Sequence, residues 1–151
     1  LKERYNCIAT AIDISKDALK VAEINAKLHQ LENKIRFFNI DIDKFNSNKY
    51  DLVISNPPYI NKVDLNRLDE DVRLYEPRVA LYGGVEGFDK IKKIIKKSYK
   101  LLKYNGKLII EIGDKQKNYT KKILIENGFY INKICKDFSD KDRCLVSTKI
   151  N

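Results

Sequence analysis

The sequence of 151 residues has few of the features that mark membrane spans, secretion, disulfides or metal centres. No apolar run approaches the roughly 20 residues needed to cross a bilayer, and the first residues lack the apolar core of a signal peptide. The three cysteines (Cys7, Cys135 and Cys144) form no Cys-x-x-Cys pair, and His29 is the only histidine. We therefore predict reduced, mostly buried thiols, no metal site, and a cytoplasmic protein without a membrane segment.

Methionine is also absent, and the sequence opens on Leu1. Because a natural chain starts with Met, we expect this sequence to be an internal piece of a longer protein. Its content of 43% hydrophobic and 34% charged residues suits one soluble domain with a single core over residues 1–151.

The charge balance is strongly basic, since 30 Lys and Arg residues against 21 Asp and Glu residues give a net charge of +9. A basic protein can bind nucleic acid, an anionic surface or an acidic partner. The excess of lysine, accompanied by many isoleucines and asparagines, can equally reflect genome composition. Both explanations stay open at this stage.

The order of apolar runs and helical periodicities predicts an α/β protein with a mostly parallel sheet and an antiparallel strand pair at its end. Four single strands are predicted, followed by the final pair: 7–14, 35–40, 50–55, 107–112, and then 130–136 with 143–149. Three helices are predicted: one after Ser15 with Val21, Ile24, Leu28 and Leu31 as its apolar stripe, one over 88–104, and one over 117–126. Between 56 and 86 we predict a long irregular loop, of the kind that is usually functional.

The most informative motif is the tetrad Asn56-Pro57-Pro58-Tyr59, which directly follows a predicted strand. In open α/β sheets, ligands bind beyond the carboxyl ends of the strands. The two prolines fix the backbone of this loop before any substrate arrives. A Pro-Pro pair alone is typical of a simple turn, but Asn before it and Tyr after it favour a catalytic loop made of all four residues.

Such a loop suits the methylation of a planar nitrogen in an amide or a base amino group. The lone pair of this nitrogen is delocalised, so it is a poor nucleophile. The Asn56 side-chain oxygen and the Pro57 carbonyl can each accept one N–H and aim the lone pair at a sulfonium methyl. Tyr59 offers a flat face to the planar group. Positioning, and not a strong base, would supply most of the rate.

Two aspartates stand at the ends of the first two predicted strands. Asp13 occupies the position where dinucleotide-type folds place a carboxylate for the ribose hydroxyls, although strand-end aspartates also cap helices. Asp41 can accept an adenine amino group, with Ile42 packing on the ring. On its own, the position of Asp41 does not decide between this role and an ordinary turn.

The element order and the tetrad resemble the Rossmann-like methyltransferases of the HemK type, which methylate glutamine in peptide chain release factors. The tetrad is shared with nucleic-acid amino methyltransferases, whereas the residues after it resemble the release-factor branch. These similar segments are Asp71 to Pro77, Ala80 to Gly84, Glu86 to Phe88, Lys136 to Phe138, and Asp142 with Arg143.

The resemblance implies S-adenosylmethionine as cofactor and a release factor as protein partner, with a glutamine in its Gly-Gly-Gln loop as target. It makes Asp13, with the neighbouring Ile14, the ribose site, and Asp41 with Ile42 the adenine site. Asn56 and Pro57 become the acceptors for the substrate amide, and Asn56 also borders the cofactor.

One departure from this family lies at the amino end. The family has a central first strand and a glycine-rich loop before the ribose-binding Asp, but only twelve residues precede Asp13 and none is glycine. We therefore expect the first strand, the glycine-rich loop and an amino-terminal helical domain to be missing from this sequence. The alternatives are a nucleic-acid amino methyltransferase, acting on adenine N6 or guanine N2, and a non-catalytic basic module that binds RNA.

Overall fold

The computed structural model describes residues 7–47 and 50–150. These residues divide into two compact units, the first ending at Asn46 and the second beginning at Ser47. Each unit has its own β-sheet, two-stranded in the first and four-stranded in the second.

The first unit is a single strand–helix–strand element. Strand β1 (Ala9–Asp13) and strand β2 (Ile35–Asn39) pair in parallel, with Asp13 opposite Asn39, and helix α1 (Lys16–Leu28) connects them. Ser15 begins the helix as predicted, because its hydroxyl accepts the Ala18 N–H at 3.1 Å. Since the strands are parallel, the residues that follow both of them lie at the same edge of this sheet.

The face of α1 that is buried differs from the predicted one. Val21, Ile24 and Leu28 are exposed, whereas Leu19 and Ala26 are the buried residues. Leu19 and Ala26 are seven residues apart, so they also share one face of a helix. The apolar spacing therefore predicted the helix correctly and its buried side wrongly.

The second unit contains the remaining elements. In chain order these are β3 (Tyr50–Ser55), α2 (Lys62–Leu65), α3 (Glu70–Tyr75), α4 (Arg78–Leu81), α5 (Asp89–Leu101), β4 (Leu102–Glu111), α6 (Lys117–Glu126), β5 (Phe129–Lys136) and β6 (Asp142–Lys149). The sheet order is β3-β4-β6-β5, in which β3 and β4 are parallel and the other two pairings are antiparallel. The predicted antiparallel pair at the end of the chain is confirmed.

The core of the second unit lies between its sheet and the helices α5 and α6. It is made of ten buried side chains: Ile91, Ile95, Leu102, Leu108, Ile110, Ile112, Ile123, Leu124, Phe129 and Leu145. Along β4 and directly after it, Leu108, Ile110 and Ile112 recur at every second position, so they share one side of this segment. This packing fixes β4 and its neighbours, and with them the loops that leave the sheet.

One buried hydroxyl in this core lacks a partner among the described residues, namely Thr120 Oγ1 on α6. Thr120→Val keeps the shape of the side chain and removes the unsatisfied polar atom. We expect the free energy of unfolding to rise by about 1 kcal/mol, measured by urea denaturation. The control is Thr148→Val, because the Thr148 hydroxyl donates to Asn132 Oδ1 at 2.7 Å. Thr120→Val that is less stable than the wild type would show that this hydroxyl has a partner in solution.

Helix α5 ends earlier than predicted, at Leu101 instead of residue 104. Two contacts explain the difference. Leu102 pairs with Tyr50 at the start of β3. The buried Lys149 ammonium donates to the carbonyls of Tyr99 at 2.8 Å and Leu102 at 3.2 Å, which satisfies groups at the helix end. Both partners come from distant parts of the chain.

The segment 56–86 is also more regular than the predicted irregular loop, because it contains the short helices α2, α3 and α4. Asn61 caps α2 by accepting the Asp64 N–H at 2.8 Å. These helices have only four to six residues each. An apolar periodicity cannot be recognised over so few positions.

The cysteines are free, as predicted, but they are less buried than predicted. Cys7 is exposed, and Cys135 and Cys144 are half-buried at opposing positions of β5 and β6. Cys7 lies before β1, and Cys135 lies on β5, which is an edge strand of its sheet beside β6, so these positions are only partly covered.

Residues 7–47 and 50–150 lack two further kinds of feature. No helix in these ranges is long and apolar enough to cross a bilayer. The same residues contain no group of three or more His, Cys, Asp or Glu side chains arranged to hold a metal ion.

Candidate active site

The tetrad Asn56–Tyr59 leaves the second unit's sheet at the carboxyl end of β3. Ser55 pairs in parallel with Ile110 of β4, so the tetrad lies at the same sheet edge as Glu111, the last residue of β4. Asn56 is exposed, Pro57 is buried, and Pro58 and Tyr59 are half-buried. The loop is thus anchored by its prolines while its asparagine faces solvent.

The Tyr59 side chain is held by its hydroxyl group, which donates to Glu111 Oε1 at 3.1 Å. Burial, and then the negative charge of Glu111, raise the pKa of the Tyr59 hydroxyl, so it stays a protonated donor at neutral pH. The positive charge of Arg143 acts in the opposite direction. Arg143 is itself fixed by Asp137, whose Oδ2 accepts from its Nη2 at 2.9 Å, and by the Ile112 carbonyl at 3.2 Å.

Three glycines allow other backbone segments to approach Tyr59 closely. A Cβ atom on Gly83 would lie 2.7 Å from the Tyr59 Cα, and one on Gly87 would lie 2.5 Å from the Tyr59 carbonyl oxygen. A Cβ atom on Gly113 would lie 2.9 Å from the Tyr59 ring. Gly83 also donates its N–H to the Ile60 carbonyl at 2.9 Å. The glycine segment after the tetrad is therefore a packing surface for it.

We expect Gly83→Ala to destabilise the protein by about 1 to 3 kcal/mol, the range for overpacking. The added methyl group would meet the Pro58 carbonyl oxygen and the Tyr59 Cα, both at 2.7 Å, and backbone atoms cannot rotate away. Denaturant unfolding measures the effect. Val79→Ala, at an exposed position of α4, is the control and should stay near the wild-type value. Equal stability of Gly83→Ala and the control would contradict this packing.

The Gln116 side chain joins three backbone segments at this site. Its Nε2 donates to the carbonyls of Tyr59 at 3.0 Å and Gly87 at 3.2 Å. Its Oε1 accepts the Gly113 N–H at 2.9 Å. Gln116 is buried and immediately precedes α6, so the core of the unit fixes its position.

An open cleft of ≈ 670 Å³ borders the chain just after the tetrad. Its lining combines amide, acidic, aromatic and aliphatic side chains: Asn61, Val63, Asp64, Val85, Glu86, Phe88 and Tyr119. Phe88 and Tyr119 pack against each other with ring centroids 4.4 Å apart, which gives the cleft an aromatic wall. The cleft has room for a segment of an extended polypeptide.

In the first unit, Asp13 is the exposed last residue of β1. Its Oδ1 accepts the Ser15 N–H at 2.7 Å, which orients the carboxylate at the start of α1. Asn39 secures the same turn, because its Nδ2 donates to the carbonyls of Asp13 at 3.0 Å and Ile14 at 2.9 Å. The side chain of Ile14 is exposed.

Asp41 and Ile42 follow β2 at the same edge of this two-stranded sheet. Both are half-buried, and Asp41 Oδ1 accepts the Asp43 N–H at 2.9 Å. Asp13 pairs with Asn39 in the sheet register, and Asn39 lies two positions before Asp41. The first unit therefore brings together all four residues that the sequence predicted as the nucleoside site.

Several known proteins that are similar to this chain in sequence are methyltransferases. A family model described as a methyltransferase domain matches residues 2–149. This chain belongs to that methyltransferase domain family. The release factor glutamine methyltransferase of Clostridium acetobutylicum is 37% identical over 140 residues, which cover 91% of this chain and 49% of that protein. This similarity confirms the resemblance to the HemK type predicted from the sequence.

A second relative carries a different substrate in its name. The ribosomal protein uL3 glutamine methyltransferase of Francisella tularensis is 44% identical over 108 residues, which cover 71% of this chain and 34% of that protein. This methyltransferase chain thus spans less than half the length of both relatives. Among solved structures, a methyltransferase from Pyrococcus furiosus matches with a TM-score of 0.71 at 20% identity, over 99% of this chain and 66% of that one. The predicted Rossmann-like class I fold is thereby confirmed.

For four residues of the methyltransferase chain, the sequence did not predict a role in the site. Glu111 and Gln116 hold Tyr59, Arg143 lies in the same network, and Asn39 secures the Asp13 turn. Glu111 carried a usable signal, since it ends a strand parallel to the one before the tetrad. The roles of Gln116 and Asn39 are contacts to distant backbone groups, for which a single sequence has no marker.

Proposed function

We propose that the full-length protein transfers a methyl group from S-adenosylmethionine to the side-chain nitrogen of a glutamine in a peptide chain release factor. The observation that carries the proposal is the anchored tetrad, with Asn56 exposed at the end of β3 and Tyr59 held by Glu111. We place the reaction in the cytoplasm, where translation occurs, and assign residues 1–151 to one catalytic domain.

The tetrad has groups suited to a primary amide. Such an amide carries two N–H donors, and the Asn56 Oδ1 and the Pro57 carbonyl are two acceptors at adjacent positions. Within the described part of the chain, no hydrogen bond engages the Asn56 side chain, so its oxygen can accept from a substrate. Acceptors on both N–H groups draw the nitrogen toward pyramidal geometry, which frees its lone pair. The loop is rigid, so this geometry is set in advance.

Tyr59 contributes in a different way from the two acceptors. Its hydroxyl is engaged by Glu111 and its pKa is raised, so it does not act as a base. We assign its ring to packing beside the planar amide. Pro58 completes the tetrad by fixing the backbone between the acceptors and the ring. No strong base is required, because the nitrogen becomes acidic once it is alkylated and loses its proton to solvent.

The cofactor, when bound, supplies an electrophilic methyl group on a sulfonium ion. The carboxyl edge of the first unit's sheet fits the nucleoside part of this molecule. The exposed Asp13 carboxylate can accept two ribose hydroxyls, with Ile14 beside it, and Asp41 can accept the adenine amino group while Ile42 packs on the ring. The hydrogen bond from Asn39 Nδ2 to the Asp13 carbonyl fixes the backbone at this edge of the sheet.

The choice of a release factor rests on the segment after the tetrad and on the Clostridium relative, whose name specifies that substrate. The Francisella relative favours one competing substrate, a glutamine of ribosomal protein uL3. Both substrates present the same functional group. The pair of glycines before the target glutamine in a release factor favours that substrate sterically, because it lets the backbone enter a narrow site.

The test is radiolabelled methyl transfer by the full-length protein to a panel of purified acceptors. The panel contains a release factor, the same factor with its Gly-Gly-Gln glutamine replaced, ribosomal protein uL3, duplex DNA and ribosomal RNA. The proposal predicts label in the release factor and its loss with the replaced glutamine. Label only in uL3 would reassign the substrate within the glutamine class. Label only in nucleic acid would replace the proposal with an adenine or guanine amino methyltransferase. No transfer at all would support the non-catalytic RNA-binding alternative.

A further inference from the structure

We propose that Gln116 is a positioning residue for methyl transfer, which acts by holding the backbone of Tyr59 and so the two acceptors before it in the tetrad. The inference rests on the proposed function for its consequence in catalysis. Its structural basis lies entirely within the second unit.

The Gln116 side-chain amide makes three hydrogen bonds to backbone groups, two as a donor through Nε2 and one as an acceptor through Oε1. Both carbonyl acceptors of its Nε2, on Tyr59 and Gly87, belong to segments that the glycines bring into contact. The donor to its Oε1 is the Gly113 N–H, just beyond β4. One side chain therefore ties the tetrad, the glycine segment and the turn after β4 to the start of α6.

Burial makes these bonds important. Gln116 is only 8% exposed, so water cannot replace the donors if they are lost. A buried carbonyl without a donor is costly, and the backbone would shift to find one. The Tyr59 main chain is the partner expected to shift, because Gly113 directly follows strand β4 and Gly87 directly precedes helix α5.

Tyr59 is consequently fixed at both of its ends. Glu111 holds the hydroxyl group at the tip of the ring, and Gln116 holds the main-chain carbonyl at its base. The Asn56 and Pro57 acceptors lie only three and two residues, respectively, before this fixed point, and Pro57 and Pro58 transmit its position through a stiff backbone. Release of the Tyr59 carbonyl should therefore displace both acceptors.

The decisive variant is Gln116→Glu, which has the same shape and keeps an oxygen for the Gly113 N–H. It places a carboxylate oxygen against the carbonyls of Tyr59 and Gly87 where a donor stood. A carboxylate is compatible with the amino end of a helix, which favours folding of the variant. When the introduced carboxyl is protonated, its hydroxyl can donate to one carbonyl and restore part of the original arrangement.

The measurement is kcat and KM for methyl transfer at about pH 8 and about pH 6, each normalised to the wild type at that pH. We expect Gln116→Glu to lower kcat by about tenfold or more at the higher pH, with a smaller change in KM for the cofactor. Acidification should recover part of the loss, because burial against two carbonyl oxygens is expected to raise the pKa of the introduced carboxyl. Gln116→Leu, which cannot donate at any pH, should lose activity without recovery. Thr120→Val, one turn further along α6, should keep the wild-type kcat.

A second readout does not depend on the substrate. The Ile60 N–H donates to the Leu81 carbonyl, and the Gly83 N–H donates to the Ile60 carbonyl. Hydrogen exchange of these two amides therefore reports on the backbone contact between Ile60, which follows the tetrad, and the segment that ends at Gly83. Exchange should be faster in Gln116→Glu than in the wild type and no faster than in the wild type in Thr120→Val. If the wild type transfers no methyl to glutamine, the proposed function fails while this readout still tests the role of Gln116. Wild-type exchange in Gln116→Glu, or a loss of kcat that matches Gln116→Leu at both pH values, would overturn the inference.

Discussion

Replacing Asn56 by alanine is expected to lower kcat for glutamine methylation by about two to three orders of magnitude, with cofactor affinity nearly unchanged. The expected size is that measured when one preorganised hydrogen-bonding group aimed at a reacting centre is removed. Asn56 is exposed at the end of β3 and contributes little to the core, so the loss should come from the chemical step. Single-turnover kinetics and calorimetric titration with S-adenosylmethionine measure the two quantities.

The matched control for this variant is Asn61→Ala, which removes the same side chain five positions later. Asn61 caps α2 and has no acceptor role in the proposed reaction. Its kcat should fall by far less than that of Asn56→Ala. A similar kcat for both variants would exclude Asn56 as the amide acceptor.

The second large effect is expected for Asp13→Ala, which should weaken binding of S-adenosylmethionine by about 1.5 to 3 kcal/mol, or roughly 10- to 150-fold in Kd. The physical reason is the loss of charge-assisted hydrogen bonds to the ribose hydroxyls. The exposed carboxylate is already oriented by the Ser15 N–H, so the wild type needs little rearrangement to bind. Calorimetry on the full-length protein gives the affinity.

Asp17→Ala is the control for Asp13→Ala, because Asp17 lies on the same unit and carries the same charge. Its contact is a surface ion pair with Lys20 at 2.9 Å. Such exposed pairs contribute little, so Kd should stay within about twofold of the wild type. Unchanged affinity in Asp13→Ala would remove Asp13 from the cofactor site.

The positions of the candidate site residues were predictable where they depend on strand ends. Asp13 and the tetrad each follow a short apolar run, and in an α/β fold the carboxyl ends of such strands form the ligand-binding edge. The structure bears out both placements, since Asp13 ends β1 and Asn56 follows β3. Local patterns were sufficient because the strands themselves are local.

The partners of Tyr59 were not predictable in the same way. Glu111 lies 52 positions and Gln116 lies 57 positions further along the chain. Which side chain reaches the Tyr59 carbonyl depends on the register of β3 with β4 and on close approaches at glycine. Three glycines among five residues, from Gly83 to Gly87, were the one visible sign that backbone segments meet there.

The errors on helices have a common cause. Apolar periodicity indicates that a helix forms, but tertiary contacts determine which face is buried and where the helix ends. The apolar stripe of α1 favoured Val21, Ile24 and Leu28, but the face with Leu19 and Ala26 is the buried one. Helix α5 ends at Leu101 because Tyr50 and Lys149 both engage the next residue, Leu102, and neither contact has a local signature.

The central claim, that the tetrad directs a methyl group to a planar amide nitrogen, is tested most directly by locating that group in the product. The full-length protein is incubated with S-adenosylmethionine and purified release factor, and the peptide that contains the Gly-Gly-Gln loop is sequenced by tandem mass spectrometry. We predict one added methyl group on the side-chain nitrogen of the loop glutamine. An unmodified glutamine, together with methyl on a base amino group of DNA or ribosomal RNA offered in the same reaction, would contradict the claim.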